Sequence, residues 1–219
     1  MTTSTSTWQQ IKTFPQNARL FLLATIINGI LFSTWQLFFN LFILARGYEK
    51  DFLGLINSMP SMAGLFLGIL MGMLSDRIGR RPAMLIGLTI STLAMGLQLF
   101  VPFKAVMVVI AFMGGVGNSL YFISQAPFMM KVTTPETRSL MFSVNFGLST
   151  LAGAVGNLFA GQMPAWFGDL LKVPATSADA YRMVLLVSVG LGIFALIPIF
   201  ILKEPVKEQS INQVKPNQW

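Results

Sequence analysis

Long stretches without a charged residue alternate with short polar segments along the chain. Six such stretches, each 20 to 30 residues long, lie between these charged residues: Arg19 and Arg46, Asp51 and Asp76, Arg81 and Lys104, Lys104 and Lys131, Arg138 and Asp169, Arg182 and Lys203. A helix needs about 20 apolar residues to cross a hydrocarbon core of roughly 30 Å. Each stretch is therefore long enough to cross a membrane as a helix.

This pattern predicts an all-α integral membrane protein built as a bundle of six transmembrane helices. The predicted spans are residues 19–45, 52–75, 83–102, 105–131, 139–167 and 182–202. The same pattern divides the chain into three parts: an N-terminal tail (1–18), the six-helix transmembrane bundle (19–203), and a C-terminal tail or truncated central linker (204–219). Both tails are expected on the cytoplasmic side.

Composition narrows the choice of function. Hydrophobic residues make up 54% of the chain and charged residues 11%, whereas roughly a quarter of an average soluble protein is charged. So few charges cannot cover a soluble surface. The chain has no cysteine and no histidine, which excludes thiol catalysis, Cys/His zinc sites and histidine acid–base chemistry. We expect no enzyme activity, no metal and no cofactor.

The positions of the basic residues predict the orientation. With a cytoplasmic N-terminus, ten of the 15 Lys and Arg residues fall in inside segments and five in outside loops. The positive-inside rule then predicts a multi-pass protein of the cell (inner) membrane with both termini cytoplasmic. The net charge of +7 is thus explained by topology, so the lipid bilayer and not nucleic acid is the expected partner.

An internal repeat is suggested by the glycines of the second and fifth predicted helices. At an offset of 89 residues three pairs coincide: Gly64 with Gly153, Gly72 with Gly161, and Gly79 with Gly168. The same offset lays the first predicted helix over the fourth. Two triplets of helices with matching glycines fit a 3+3 inverted repeat, a common plan in transporters.

The segment after the second predicted helix carries the most specific motif, Gly72-x-Leu74-x-Asp76-Arg77-x-Gly79-Arg80-Arg81. It resembles the signature loop G-x-L-x-D-R-x-G-R-R/K of the major facilitator superfamily (MFS), and it lies between the same two helices. Pro135-x-x-Arg138, with Glu136 between them, resembles the P-E-x-R segment of that family. The resemblance covers about residues 18–205 and implies one half of a twelve-helix fold.

What the resemblance implies for these residues is specific. Asp76 is expected to meet the start of helix eleven and lock the outward-facing state, and Gly72 to let that helix approach. Independently of the resemblance, the charges of Arg77, Arg80 and Arg81 lead us to expect that they pair with Glu136 or meet anionic lipid headgroups. Glu136 and Arg138 are the candidate partners in the loop between the fourth and fifth predicted helices. Helix eleven would come from a second six-helix bundle, either a C-terminal half or a homodimer partner.

Polar residues inside the predicted helices are candidates for a substrate cavity, since a polar group in a membrane seeks a partner or water. The helices that carry them, the first and the fourth, line the central cavity in the family. The candidates are Asn28, Trp35, Gln36 and Asn40 on the first helix and Asn118, Tyr121 and Gln125 on the fourth. Interhelical hydrogen bonding is the alternative role of each.

Together these features predict transport of a small neutral or amphipathic solute by alternating access. No charged side chain lies deep in a predicted helix, so a charged solute or a bound proton would find no counter-charge there. Two alternatives are a half-size transporter active as a homodimer, and a truncated, transport-inactive membrane protein that acts as an interaction partner.

Overall fold

A computed structural model describes residues 14–203, which form seven helices. Their bounds are α1 Gln16–Ala45, α2 Lys50–Ile78, α3 Arg80–Gln98, α4 Lys104–Lys131, α5 Pro135–Ala160, α6 Met163–Leu171 and α7 Ala178–Ile201. The six long helices fall on the six predicted spans, and α6 is an additional short helix. Residues 1–13 and 204–219, which include most of the two predicted tails, lie outside the described residues.

Five of the predicted spans are long and apolar enough to cross a membrane: α1, α2, α4, α7, and α5 taken together with α6. The third span differs from the prediction of 83–102. Helix α3 begins three residues earlier, has 19 residues, and ends at Gln98, four residues before Pro102. Two arginines at its start lower its hydropathy, so α3 does not belong to these five. It is nevertheless one of the six helices of the bundle.

The fifth span was wrongly predicted as one helix over 139–167. It is two helices, because the chain leaves α5 at Gly161 and starts α6 at Met163. Pro164 explains the break, since a proline has no N–H to continue a helix but fits in a first turn. Helix α5 also starts earlier than predicted, at Pro135, where the Thr134 side chain caps it in a capping box.

The contacts between helices are the same in the two halves of the predicted repeat, which are the triplet α1, α2 and α3 and the triplet α4, α5 and α7. Helix α1 packs against α5 and α7, α4 packs against α2 and α3, and α3 and α7 pack against each other. Exchanging α1 with α4, α2 with α5, and α3 with α7 reproduces these pairs. Since successive spanning helices alternate in direction, the second triplet runs opposite to the first, as the predicted inverted repeat requires.

Close contacts at glycines repeat in the same way. A Cβ on Gly64 would meet Ser119 Oγ at 3.2 Å, and one on Gly153 would meet Ser33 Oγ at 3.2 Å. The glycines of this mirrored pair are 89 residues apart and the serines 86. The offset predicted from the glycines therefore holds for α2 and α5, whereas α1 and α4 are related by 86 residues and not by 89.

Hydrogen bonds identify which helix termini meet at each end of the bundle. At what we call the terminal end, Asn17 Nδ2 donates to the Lys203 carbonyl at 2.9 Å, and Arg81 donates to the Phe200 carbonyl. At the opposite end, which we call the Tyr48 end, the Tyr48 hydroxyl donates to the Pro102 carbonyl at 2.7 Å. The start of α1 and the end of α7 thus lie at the same end.

Candidate functional site

A cavity of about 370 Å³ lies between four helices, in the half of the bundle nearer the Tyr48 end. It is lined by the C-terminal halves of α1 and α3, the N-terminal half of α2, and α4. The lining residues are Phe32, Trp35, Gln36, Phe39, Asn40, Ile56, Asn57, Pro60, Ser91, Ala94, Met95, Gln98, Ala111, Gly114, Gly115 and Asn118. Its volume is at the small end of the range for ligand pockets.

Side-chain amides and aromatic rings give this cavity its chemistry. The amides belong to Gln36, Asn40, Asn57, Gln98 and Asn118. Among the described residues, none that lines the cavity carries a charge. The walls can thus donate and accept hydrogen bonds, but they offer no counter-charge for an ion.

Three features of the wall are specific. The rings of Trp35 and Phe39 stack one helical turn apart, with centroids 5.0 Å apart and planes inclined by 16°. Asn57 Nδ2 on α2 donates to Asn40 Oδ1 on α1 at 2.9 Å. Asn118 Oδ1 is buried and has no hydrogen-bond partner within residues 14–203, which is a costly arrangement for a polar atom.

The structure brings four of the seven predicted cavity residues together: Trp35, Gln36, Asn40 and Asn118. The other three lie elsewhere. Asn28 Nδ2 donates to the Tyr121 hydroxyl at 3.0 Å, and both side chains are buried. Asn28 and Tyr121 therefore link α1 to α4 by interhelical hydrogen bonding. Gln125 does not line the cavity either.

Three residues with polar side chains line the cavity but were not predicted to do so: Asn57, Ser91 and Gln98. Asn57 lies on α2, and the sequence placed its candidates on the first and fourth predicted helices only. Ser91 and Gln98 lie in the third predicted span, whose polar residues were not among the candidates. Their spacing was an available signal, since seven residues correspond to about two helical turns and place both side chains on one face.

The signature segment is almost entirely helical in the structure and does not form the predicted loop. Helix α2 continues through Ile78 and α3 begins at Arg80, so Gly79 alone connects them. Gly79 has φ 98° and ψ 156°, a conformation open to glycine and strained for other residues. This glycine allows the chain to reverse direction within one residue.

Arg80 holds the start of α3 against the end of α2. Its guanidinium pairs with Asp76 and donates to Ser75 Oγ at 2.9 Å. Ser75 is fully buried, and its hydroxyl is 2.7 Å from the Ser124 hydroxyl on α4. The Asp76 side chain stays 64% exposed, so its carboxylate remains accessible at the terminal end.

The other motif residues have distinct surroundings. A Cβ on Gly72 would meet Ile123 at 3.8 Å, an ordinary contact, so α2 and α4 do not approach closely there. Arg77 is exposed, and Arg138 donates to the Met130 carbonyl at 3.4 Å. Glu136 lies exposed in the first turn of α5. A pairing of Glu136 with the arginines of the signature segment stays a prediction.

Comparison with known proteins agrees with this architecture. The family profile described as Major Facilitator Superfamily matches residues 21–218. An MFS-type transporter of Bacillus subtilis, YhjO, itself described as uncharacterized, is 32% identical over 117 residues. That match covers 51% of this chain and 29% of YhjO.

A solved structure has the same fold. It is that of a bacterial homolog of the human lysosomal transporter Spinster, in an inward-facing and occupied conformation. The TM-score is 0.69 at 15% identity, over 90% of this chain and 46% of that one. The chain thus matches less than half the length of each relative. Since the family profile matches most of the chain, this protein belongs to the Major Facilitator Superfamily, a family of membrane transporters and not of enzymes.

Proposed function

We propose that this protein transports a small neutral or amphipathic solute by alternating access, with the cavity between α1, α2, α3 and α4 as its binding site. The observation that carries the proposal is the chemistry of that cavity, which combines five side-chain amides with aromatic rings and no charge among the described residues. Such walls stabilise an uncharged polar solute, whereas an ion would lose its hydration without compensation.

A second six-helix bundle completes the transporter in this proposal. The most exposed large apolar side chains of the bundle lie on α2 and α5 and include Leu65, Ile69, Phe146 and Leu158, each 75% exposed or more. These two helices occupy equivalent positions in the repeat, so together they offer two similar apolar faces to another bundle or to lipid. The exposed Asp76 carboxylate is available to a helix N-terminus of that bundle.

The second bundle comes either from a C-terminal half or from a second copy of this chain. Native mass spectrometry of the purified protein in nanodiscs distinguishes these sources. A dimer indicates that a second copy supplies the bundle. A monomer indicates that another polypeptide segment must supply it.

For orientation we propose the cell membrane, with the terminal end in the cytoplasm. Seven basic residues of the described chain belong to the terminal end: Arg19, Arg77, Arg80, Arg81, Lys131, Arg138 and Lys203. Five belong to the Tyr48 end: Arg46, Lys50, Lys104, Lys172 and Arg182. This excess of basic residues supports a cytoplasmic terminal end under the positive-inside rule. The cavity then lies in the outer half of the bundle.

Counterflow in proteoliposomes tests the transport function. Vesicles with the purified protein are loaded with unlabelled glucose or uridine and diluted into the same labelled solute. A carrier gives transient accumulation of label above equilibrium, which a pore or a leak does not. The assay uses the protein together with its second six-helix bundle. If the label then enters no faster than it enters protein-free vesicles, for both glucose and uridine, the proposal is contradicted. The Asn118→Ala variant is expected to lose most of the accumulation.

A further inference from the structure

We infer that the cavity binds an uncharged ring compound that carries hydroxyl or N–H donors, with a ring face against Trp35 and a donor to Asn118. This inference rests on the proposed transport function, because it names the class of solute that the same cavity takes. A hexose and a nucleoside share this chemistry. Their common features are a ring face, several donors on the ring edge, and no charge.

The stacked rings of Trp35 and Phe39 supply a surface for a ring. They lie nearly parallel with centroids 5.0 Å apart, so the Phe39 ring stacks on one face of Trp35 and supports its orientation. Both residues line the cavity, and Trp35 is the one that keeps partial exposure. A ring compound can place its apolar face against the partly exposed Trp35 ring and gain contact area there.

The unpartnered oxygen of Asn118 requires a donor. Asn118 Oδ1 is buried and lacks a partner within residues 14–203, and the residue lines the cavity. A buried acceptor without a hydrogen bond is destabilising, and a hydrogen bond from a hydroxyl or N–H of a ligand would remove that penalty. Asn40 already accepts from Asn57. Because Asn118 Oδ1 has almost no accessible surface, a ligand donor reaches it only when the side-chain amide turns toward the cavity.

Size and charge restrict the compound further. About 370 Å³ suits a small molecule and not a lipid with long chains. The uncharged walls disfavour a phosphate or an ammonium group, because burial of an unpaired ion is expensive. A ring with donors and without charge meets all four conditions of volume, charge, aromatic surface and unpaired acceptor.

Equilibrium binding of labelled probes to the protein in nanodiscs tests this inference. The uncharged probes are glucose and uridine. The charged counterparts are glucose 6-phosphate and uridine monophosphate, and pentamethyl glucose keeps the ring but has no donor. We expect glucose or uridine to bind at least tenfold more tightly than its phosphorylated counterpart and, for glucose, than the methylated ring. Binding of glucose identifies the ring compound as a hexose, and binding of uridine identifies it as a nucleoside.

Two pairs of variants locate the binding. Trp35→Ala and Asn118→Ala are expected to weaken binding about tenfold each, which corresponds to about 1.4 kcal/mol. Trp166→Phe and Asn157→Ala are matched controls. Trp166 is exposed on α6, and Asn157 Oδ1 is also buried without a partner among the described residues, yet neither residue lines the cavity. Unchanged binding in both controls supports the inference.

Three results overturn the inference: neither uncharged probe binds above empty nanodiscs, a charged or methylated probe binds as tightly, or Asn157→Ala weakens binding as much as Asn118→Ala. Failure of the transport function looks different. Binding that follows the expected pattern without counterflow contradicts transport and leaves the inference intact. Counterflow of the charged probes alone contradicts both the inference and the uncharged solute of the proposed function, and leaves only transport by alternating access intact.

Discussion

The side-chain amide of Asn28 on α1 donates a 3.0 Å hydrogen bond to the hydroxyl of Tyr121 on α4. The two side chains are 5% and 1% exposed, so the bond is shielded from water. Helices α1 and α4 pack mainly against other helices. This pair is therefore a direct polar link between the two triplets of the repeat, separate from the cavity that the same helices line.

Tyr121→Phe is expected to destabilise the protein by about 0.6 kcal/mol, the average for an interhelical hydrogen bond in a membrane. Thermal unfolding in nanodiscs measures the change, and a double-mutant cycle with Asn28→Ala measures the coupling. Tyr181→Phe is the control, since the Tyr181 hydroxyl makes no hydrogen bond among the described residues. A coupling energy of zero would show that the bond does not contribute. Probe binding should stay unchanged.

Gly115→Ala is expected to lower stability by about 1–3 kcal/mol, the usual cost of overpacking. A Cβ there would meet the Pro60 Cα at 2.4 Å, and backbone cannot move aside easily. Gly29→Ala should have a similar effect, because its Cβ would meet the Ser149 carbonyl oxygen at 2.5 Å in the equivalent contact of the repeat.

Gly190→Ala is the matched control for both glycine variants. Nothing lies within 4 Å of a Cβ at this position of α7, so the higher helix propensity of alanine should leave stability equal or slightly raised. Equal melting temperatures for Gly115→Ala and Gly190→Ala would contradict the close packing of α2 on α4.

Arg80→Lys is expected to lower stability by about 1 kcal/mol, although both residues are cationic. The planar guanidinium contacts Asp76 and Ser75 together, and a single ammonium cannot reproduce this fork. Thermal unfolding is again the measurement. Arg77→Lys, at an exposed position in the last turn of α2, should be neutral. The prediction fails when both variants melt alike.

Cysteine labelling tests the orientation, and the chain has no native cysteine to interfere. Lys104→Cys and Lys131→Cys mark the two ends of α4, and both positions are exposed. In intact cells a membrane-impermeant maleimide should label the variant at position 104, while the variant at 131 should react only after lysis. The reverse result would place the terminal end outside.

The sequence alone predicted the six-helix plan because charge-free stretches of spanning length are typical of helices that cross a membrane. It did not predict the break of the fifth span, since Pro164 is compatible both with a kinked helix and with a new first turn. A polar residue inside a membrane helix indicates that its side chain contacts a polar partner, but the sequence does not identify that partner. Asn40 and Asn118 line the cavity, whereas Asn28 donates to Tyr121. Which of these surroundings a polar side chain has depends on the rotation of its helix, and the local sequence does not determine that rotation.

Because Gly79 alone connects α2 to α3, these two helices cannot move independently where they join. Helix α2 carries Asp76 near one end and Asn57 in the cavity wall, 19 residues or about 28 Å apart along the same helix. Helix α3 carries Ser91 and Gln98 in that wall. A force on the exposed Asp76 carboxylate would therefore tilt α2 and α3 together, and the two cavity walls that these helices form would move at the same time.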